Sequence, residues 1–348
     1  MMNGKRLERY LLHDVLKQVS RSFYLTLAVL PGCVAKQVGL AYLFARAADT
    51  IADAGLLDRN TRATLLRQLK LQFVRESCER KEIKAIQTLT VPRQVHAGER
   101  TLLEHLDRCF QVYEDLTPGD RTEIRRVLPI LISGMEMDLE RFPGESEIEL
   151  AALSSLDDLD EYTYKIAGCV GEFWTNLMYA HLPRIHRTWD REAMIRTGIR
   201  FGKGLQLTNI LKDLSTDLRR GRCYVPLELL ARAGLEPRDL LDTRTMAGFS
   251  PILHTLVRTA LAHLDEGWLY VTSIPRLEVR LRLACMWPIL IALKTLHLLT
   301  TCDNILDPAR KLKISRFEVY RLVVTSTMTG GAAFLGSTYW GQVRKAVG

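Results

Sequence analysis

The chain has 348 residues, 47% of them apolar and 25% charged, with only 12 prolines. That balance excludes a disordered or fibrous protein and suits a well-packed globule. A formal net charge of +8 favours anionic partners such as phosphates or a lipid surface. No basic run interleaved with aromatics is present, so nucleic acid is excluded as a partner.

Seven cysteines are scattered without a CxxC pair, and the eight histidines include no HExxH. Reduced thiols and a cytoplasmic location are the expectation. The first stretch, MMNGKRLERYLLHDVLKQ, reads as the start of an amphipathic helix and lacks an apolar signal core.

From there nearly every segment repeats its apolar residues at helical spacing, and no stretch alternates convincingly as a strand. Isolated glycines and prolines divide the chain into about eight to twelve helices. One helix is predicted over Val38 to Ala54. Residues 81–98 are less periodic and are expected to form a loop, and Pro129 should kink or end the helix that contains it. A helix over 160–177 follows, with Asp157 and Asp158 as its N-cap and first-turn charge. Gly168 and Gly171 lie on nearly one side of it and favour close helix packing, as does GIRFGKG at 198–204. The next apolar helix runs through 202–218, and Pro288 should interrupt a later one. From Leu322 to Trp340 no charge appears, about a bilayer span, but the threonines, serines and glycines there favour a buried helix lining a cavity over an anchor. The expectation is one all-α domain over residues 1–348, its helices around a common core.

Two of these helices carry carboxylates in a pattern. Tyr42, Arg46, Asp49 and Asp53 follow i, i+4, i+7 and i+11, while Leu40, Leu43, Phe44, Ala47, Ala48 and Ile51 fill the other faces. Gln206, Asn209, Asp213 and Asp217 repeat the arrangement at i, i+3, i+7 and i+11 among Leu205, Leu207, Ile210, Leu211 and Leu214. A helix apolar nearly all round is a buried one, so each stripe is expected to face an internal cavity. The alternative for the first is a solvated stripe with an Arg46–Asp49 pair. Four carboxylates at one cavity need neutralising. Mg²⁺ takes oxygen ligands and is usually held by one or two carboxylates plus substrate phosphates. Opposed aspartate pairs with Arg46, Arg219, Arg220 and Arg222 at hand therefore suit a Mg²⁺-bridged diphosphate.

Four blocks resemble the squalene/phytoene synthase family of head-to-head prenyltransferases, most of all bacterial squalene synthases. They are SRSFYLTLAVLP at 20–31, ARAADTIAD at 45–53, YTYKIAGCVGE at 162–172 and NILKDLSTDLRRGRCYVP at 209–226. A looser likeness covers residues 10–330. The resemblance implies the all-α isoprenoid synthase fold around a central apolar cavity. By matching position it implies that Asp49, Asp53, Asp213 and Asp217 hold Mg²⁺, with Asp49 and Asp213 counted among the catalytic residues. Arg21, Ser22 and Arg46 would contact diphosphate, and Gln206 and Asn209 would contact metal, water or diphosphate. Tyr162 would act near the reacting carbons, and Lys313 and Arg316 would meet NADPH. The implied reaction joins two farnesyl diphosphates through presqualene diphosphate and reduces the product with NADPH to squalene. Peripheral membrane contact for product release is a further option.

The chain departs from the pattern at Ala52 and Thr216, where squalene synthases often carry an additional acid, and at Lys165 and Lys212. These departures keep two other readings open. One is a phytoene or dehydrosqualene synthase that performs no reduction. The other is a catalytically silent helical assembly subunit.

Overall fold

The helical periodicity becomes structure almost everywhere, and the only strands among the described residues are two residues long. A computed structural model describes residues 4–20, 23–310, 312–328 and 345. The chain divides into two units, Met1–Leu139 with Glu172–Arg187, and Glu140–Gly171 with Thr188–Gly348.

In the first unit, α1 (Gly32–Ala52) is followed by α2 (Arg59–Val74), α3 (Arg80–Thr90), α4 (Ala97–Glu104), α5 (Leu106–Glu114) and most of α6 (Pro118–Arg141). Pro31 precedes α1, so the helix starts six residues before the predicted boundary, and it ends at Ala52 with Asp53 as its C-cap. Phe44 of α1 is fully buried with Phe73, Phe110 and Tyr113, its ring 4.9 Å from Phe73 and 4.7 Å from Phe110. Phe44 lies two residues, about 200° of helical rotation, from Arg46. The aromatic core thus takes one side of α1 and leaves the polar stripe on the other.

The loop expected over 81–98 is instead α3, a short 3-10 turn and the start of α4. On α3, Ile83, Ile86, Gln87 and Thr90 are buried together. Two polar residues complete that buried face, so the apolar period is too sparse to read in the sequence. Pro129 does not end α6, and Pro288 does not end its helix.

The second unit contains α7 (Leu156–Thr163), the first residues of α8 (Cys169–His181), α9 (Arg191–Arg219), α10 (Met246–Ser273), α11 (Val279–Thr301) and α12 (Arg316–Met328). A π-helical turn, Tyr164–Gly168, joins α7 to α8. The cap of α7 is Ser155 and not Asp157 or Asp158. Its hydroxyl accepts from Asp158 N, while the Asp158 carboxylate accepts from the Ser155 amide, a reciprocal capping box. A Cβ on Gly171 would sit 1.9 Å from the Gly198 carbonyl oxygen, and one on Gly202 would sit 2.2 Å from that of Ala167. The glycines of both segments therefore serve helix packing, as their spacing suggested.

Strands β1 (Ala151–Ala152) and β2 (Arg222–Cys223) pair in parallel, Ala151 with Arg222 and Ala152 with Cys223. The turn into β2 is made by Gly221 at φ +80°, where a side chain would also meet the Ser146 carbonyl at 2.9 Å. Helix α11 is long and apolar enough to cross a bilayer, yet 72% of its apolar window is buried inside the protein, as in a core helix. The uncharged segment Leu322 to Trp340 begins within α12, where Leu322 and Ser326 are buried, and residues 329–340 lie outside the described residues.

Candidate functional site

The first aspartate turn closes α1. Arg46 is one-fifth exposed and donates through Nη1 to Asp49 Oδ2 at 2.5 Å, so the i, i+3 pair does form. Its Nη2 donates to Glu99 Oε1, on the first turn of α4. Burial works against the Arg46 charge, but Asp49 and Glu99 more than compensate and hold its pKa above the ordinary arginine value. Asp49 is half-buried and Asp53 exposed. The backbone amide of Asp53 donates to the Asp49 carbonyl oxygen at 2.9 Å, which finishes the helix with both side chains on its last turn.

The second turn lies near the end of α9, which Asp190 caps by accepting from Ala193 N at 3.1 Å. Asp213 is exposed and pairs with the neighbouring Lys212 at 3.1 Å, and the same ammonium donates to Asn209 Oδ1 at 3.3 Å. Gln206 and Asp217 are half-buried and Asn209 is exposed. The leucines and Ile210 between them are buried, apart from half-buried Leu205. The expectation is that each stripe faces an internal cavity, with a solvated stripe and an Arg46–Asp49 pair as the alternative for the first. The structure leaves Asp53 and Asp213 open to water and Asp49 and Asp217 partly so, because the apolar faces of these helices satisfy the core without closing over the carboxylates.

Tyr162, on α7, is 6% exposed. Its hydroxyl donates to the hydroxyl of Tyr224 at 3.2 Å, and the two rings stack at 4.8 Å. Tyr224 also meets Phe142 edge-on at 4.9 Å. The pairing follows from the small sheet: β2 delivers Tyr224 directly after Cys223, and β1 leads within a few residues to α7. Tyr164 is only half-buried, and its neighbour Lys165 pairs with Glu161 at 2.7 Å. Of the two tyrosines, Tyr162 is the one held in an apolar setting.

Lys313 and Arg316 are both exposed, Arg316 as the first residue of α12. Arg21 and Ser22 lie outside the described residues. Two partners escaped the sequence reading. Glu99 is 53 positions from Arg46, and nothing local marks it. Tyr224 stands inside the block NILKDLSTDLRRGRCYVP, directly after a strand that pairs over only two residues.

The donor set suits a hard divalent cation. Each turn offers carboxylate oxygens one helical turn apart, with amide oxygens from Gln206 and Asn209 beside the second. Among the described residues no three His, Cys, Asp or Glu side chains stand together as a protein-only metal cage. Arg46 Nε is buried and, among the described residues, has no hydrogen-bond partner, which leaves a donor for an anionic oxygen. Exposed cations at Lys313 and Arg316 fit the phosphates of a dinucleotide by charge and access.

The family model of squalene/phytoene synthases matches residues 16–318. The chain is 26% identical over 276 residues to a bifunctional lycopene cyclase/phytoene synthase of Pyrenophora tritici-repentis, which covers 77% of this chain and 42% of that protein. It is 27% identical over 239 residues to a phytoene synthase of Arthrospira platensis, covering 67% of this chain and 65% of the relative. The chain thus spans about two fifths of the length of the bifunctional relative. Among solved structures, TcSQS bound to the ligand BPH1237 superposes with a TM-score of 0.76 at 20% identity, over 98% of this chain and 96% of that one. A dehydrosqualene synthase complex gives 0.62 at 21% identity, over 94% and 97%. Squalene synthase HpnC from Alicyclobacillus acidocaldarius gives 0.53 at 20%, over 82% and 92%. These structures share the all-α fold described above.

Proposed function

The chain belongs to the squalene/phytoene synthase family, prenyltransferases that condense prenyl diphosphates head to head, and on that premise we propose that it is a squalene synthase. Its substrates are two farnesyl diphosphates, its intermediate presqualene diphosphate and its product squalene. The observation that carries this reading is the duplicated Asp-x-x-x-Asp turn, each on a helix whose other faces are apolar, set within the four matching blocks. Family enzymes use Mg²⁺ for prenyl diphosphate binding. Here Asp49 with Asp53, and Asp213 with Asp217, would each hold Mg²⁺, with Gln206 and Asn209 beside the second pair, and the cation charge would ease departure of diphosphate.

The protein's own groups supply the rest. Arg46, together with Arg21 and Ser22 of the SRSF block, grips diphosphate oxygens. A fixed guanidinium aimed at developing negative charge lowers the barrier to ionisation. Tyr162, stacked on Tyr224 and kept from bulk water, would offer an allylic cation a π-face or an oxygen to take up a proton. A carbocation also needs apolar walls that exclude water, and the buried rings of Tyr162 and Tyr224 would supply part of them. Lys313 and Arg316 would hold NADPH, which supplies hydride in the last half-reaction.

The names of the curated relatives favour a second reading, a phytoene synthase that joins two geranylgeranyl diphosphates and performs no reduction. Incubation with farnesyl or geranylgeranyl diphosphate and Mg²⁺, with and without NADPH, separates them by gas chromatography. Squalene formed only with NADPH supports the first reading, and phytoene transfers the assignment to the second. Absence of pyrophosphate release with every prenyl diphosphate would leave a silent helical subunit.

A further inference from the structure

Arg46 is shared between two carboxylates of unequal exposure. Glu99 is 12% exposed and Asp49 41%. Glu99 rides on α4, which is fixed at both ends. Near its start, a Cβ on Gly98 would come within 3.1 Å of the Gln18 Cβ and 3.2 Å of the Gln18 carbonyl oxygen, so the glycine lets the helix lie against that backbone. At its other end the carbonyls of Leu103 and Glu104 accept from Gln87 Nε2 at 3.0 and 2.8 Å. Glu99 therefore reaches Arg46 from a rigid support, whereas Asp49 sits at the open end of its own helix.

We infer that Glu99 is a positioning residue: it holds Arg46 by Nη2 and keeps the guanidinium from closing wholly on Asp49, which leaves both the arginine and the aspartate available to a cation-bound diphosphate. This rests on the synthase reading. A guanidinium given up to Asp49 would lose its aim at phosphate and would also occupy a carboxylate that the cation needs. The inference has a sign that charge alone does not predict. Removing a negative charge beside an anion site ordinarily tightens anion binding, whereas loss of the support weakens it.

Calorimetric titration of the full chain with inorganic pyrophosphate at saturating Mg²⁺ tests the inference without turnover. Glu99→Gln should weaken binding roughly tenfold, the scale of one partly exposed charge-assisted contact. Glu99→Asp should recover part of that loss. In an Arg46→Gln background, Glu99→Gln should change nothing further, because the residue acts only through the arginine. Unchanged or tighter binding in Glu99→Gln, or an additive loss in the double variant, overturns the inference. Should Glu99→Gln lose its cooperative melting transition, Glu99→Asp carries the same sign test. A wild-type chain that binds no pyrophosphate with Mg²⁺ overturns the synthase reading itself, a result distinct from a Glu99→Gln protein that binds as wild type does.

Discussion

The two aspartate turns share a spacing and differ in what surrounds them. The first ends its helix, and its leading carboxylate is tied to an arginine that a second carboxylate holds from α4. The second lies on a helix that continues two residues past Asp217, and its leading carboxylate is exposed beside Lys212, a flexible ammonium that also serves Asn209. Equal spacing therefore does not mean equal preorganisation. An arginine fork fixed by two oxygens keeps its direction, whereas a lysine at the surface is a mobile point charge. The first turn is therefore held from two sides, and the leading carboxylate of the second is held by one lysine.

Neutralising each turn in the same way tests this contrast. Asp49→Asn and Asp213→Asn should each reduce turnover on the order of a thousandfold, since each removes a charged oxygen from the proposed cation site. Their stabilities should differ. Asp49→Asn loosens a half-buried ion pair and should cost about 1 kcal/mol, while Asp213→Asn should stay within about 0.5 kcal/mol. Far-UV circular dichroism should remain helical in both, and a wild-type rate in either would remove the metal-site reading.

The next largest effect concerns the helix crossing within the second unit. Gly171→Ala forces a Cβ toward the Gly198 carbonyl, an approach no backbone tolerates, and should cost roughly 3 kcal/mol in chemical denaturation. A loss below about 0.5 kcal/mol would mean that this glycine does not set the crossing. Tyr162→Phe should follow with roughly a tenfold to hundredfold fall in turnover and little change in substrate KM. Tyr224→Phe, one hydrogen bond removed, should produce the same change more weakly.

Legibility in the sequence followed the range of the interaction. The all-α fold, the stripes on two apolar helices and the glycine-mediated packing depend on spacings within a helix, and periodicity reports those. Helix α3 is hidden from periodicity because Gln87 and Thr90 occupy its buried face, where a polar residue with a long-range partner looks like a break in the pattern. Gln87 finds that partner in the carbonyls that end α4. The acidic pair Asp157 and Asp158 masks the Ser155 cap, although a serine three residues before an acid is the pattern of a capping box. Exposure of the carboxylates was beyond periodicity, which places side chains on a face but does not say what covers that face. The Glu99–Arg46 and Tyr162–Tyr224 contacts span 53 and 62 positions, and only the folded chain brings them together.

The smallest effect concerns the back of the helix that carries the second turn. His263, on α10, packs against α9, where a Cβ on Gly204 would meet its Cβ at 3.0 Å. Its Nδ1 lies 3.5 Å from Arg200 Nε, Arg200 is paired with Glu266 at 2.6 Å, and Lys203 is paired with Asp160 at 2.7 Å. Burial lowers the imidazole pKa from 6.5 to about 4, with Arg200 and Lys203 adding to the effect and Asp160 opposing it. In the unfolded chain the same group takes its proton near 6.5. Between those values the unfolded state binds more protons, so stability is complete above the upper value and falls as pH drops toward the lower one. The loss should reach about 2 kcal/mol once partial exposure is allowed for. Paired denaturation curves at pH 7 and pH 5 should show most of it in the wild type and a flatter profile in His263→Gln. An equal pH slope in the two proteins would show that acid acts on the second unit elsewhere, and the aspartates of the second turn would then be the next groups to test.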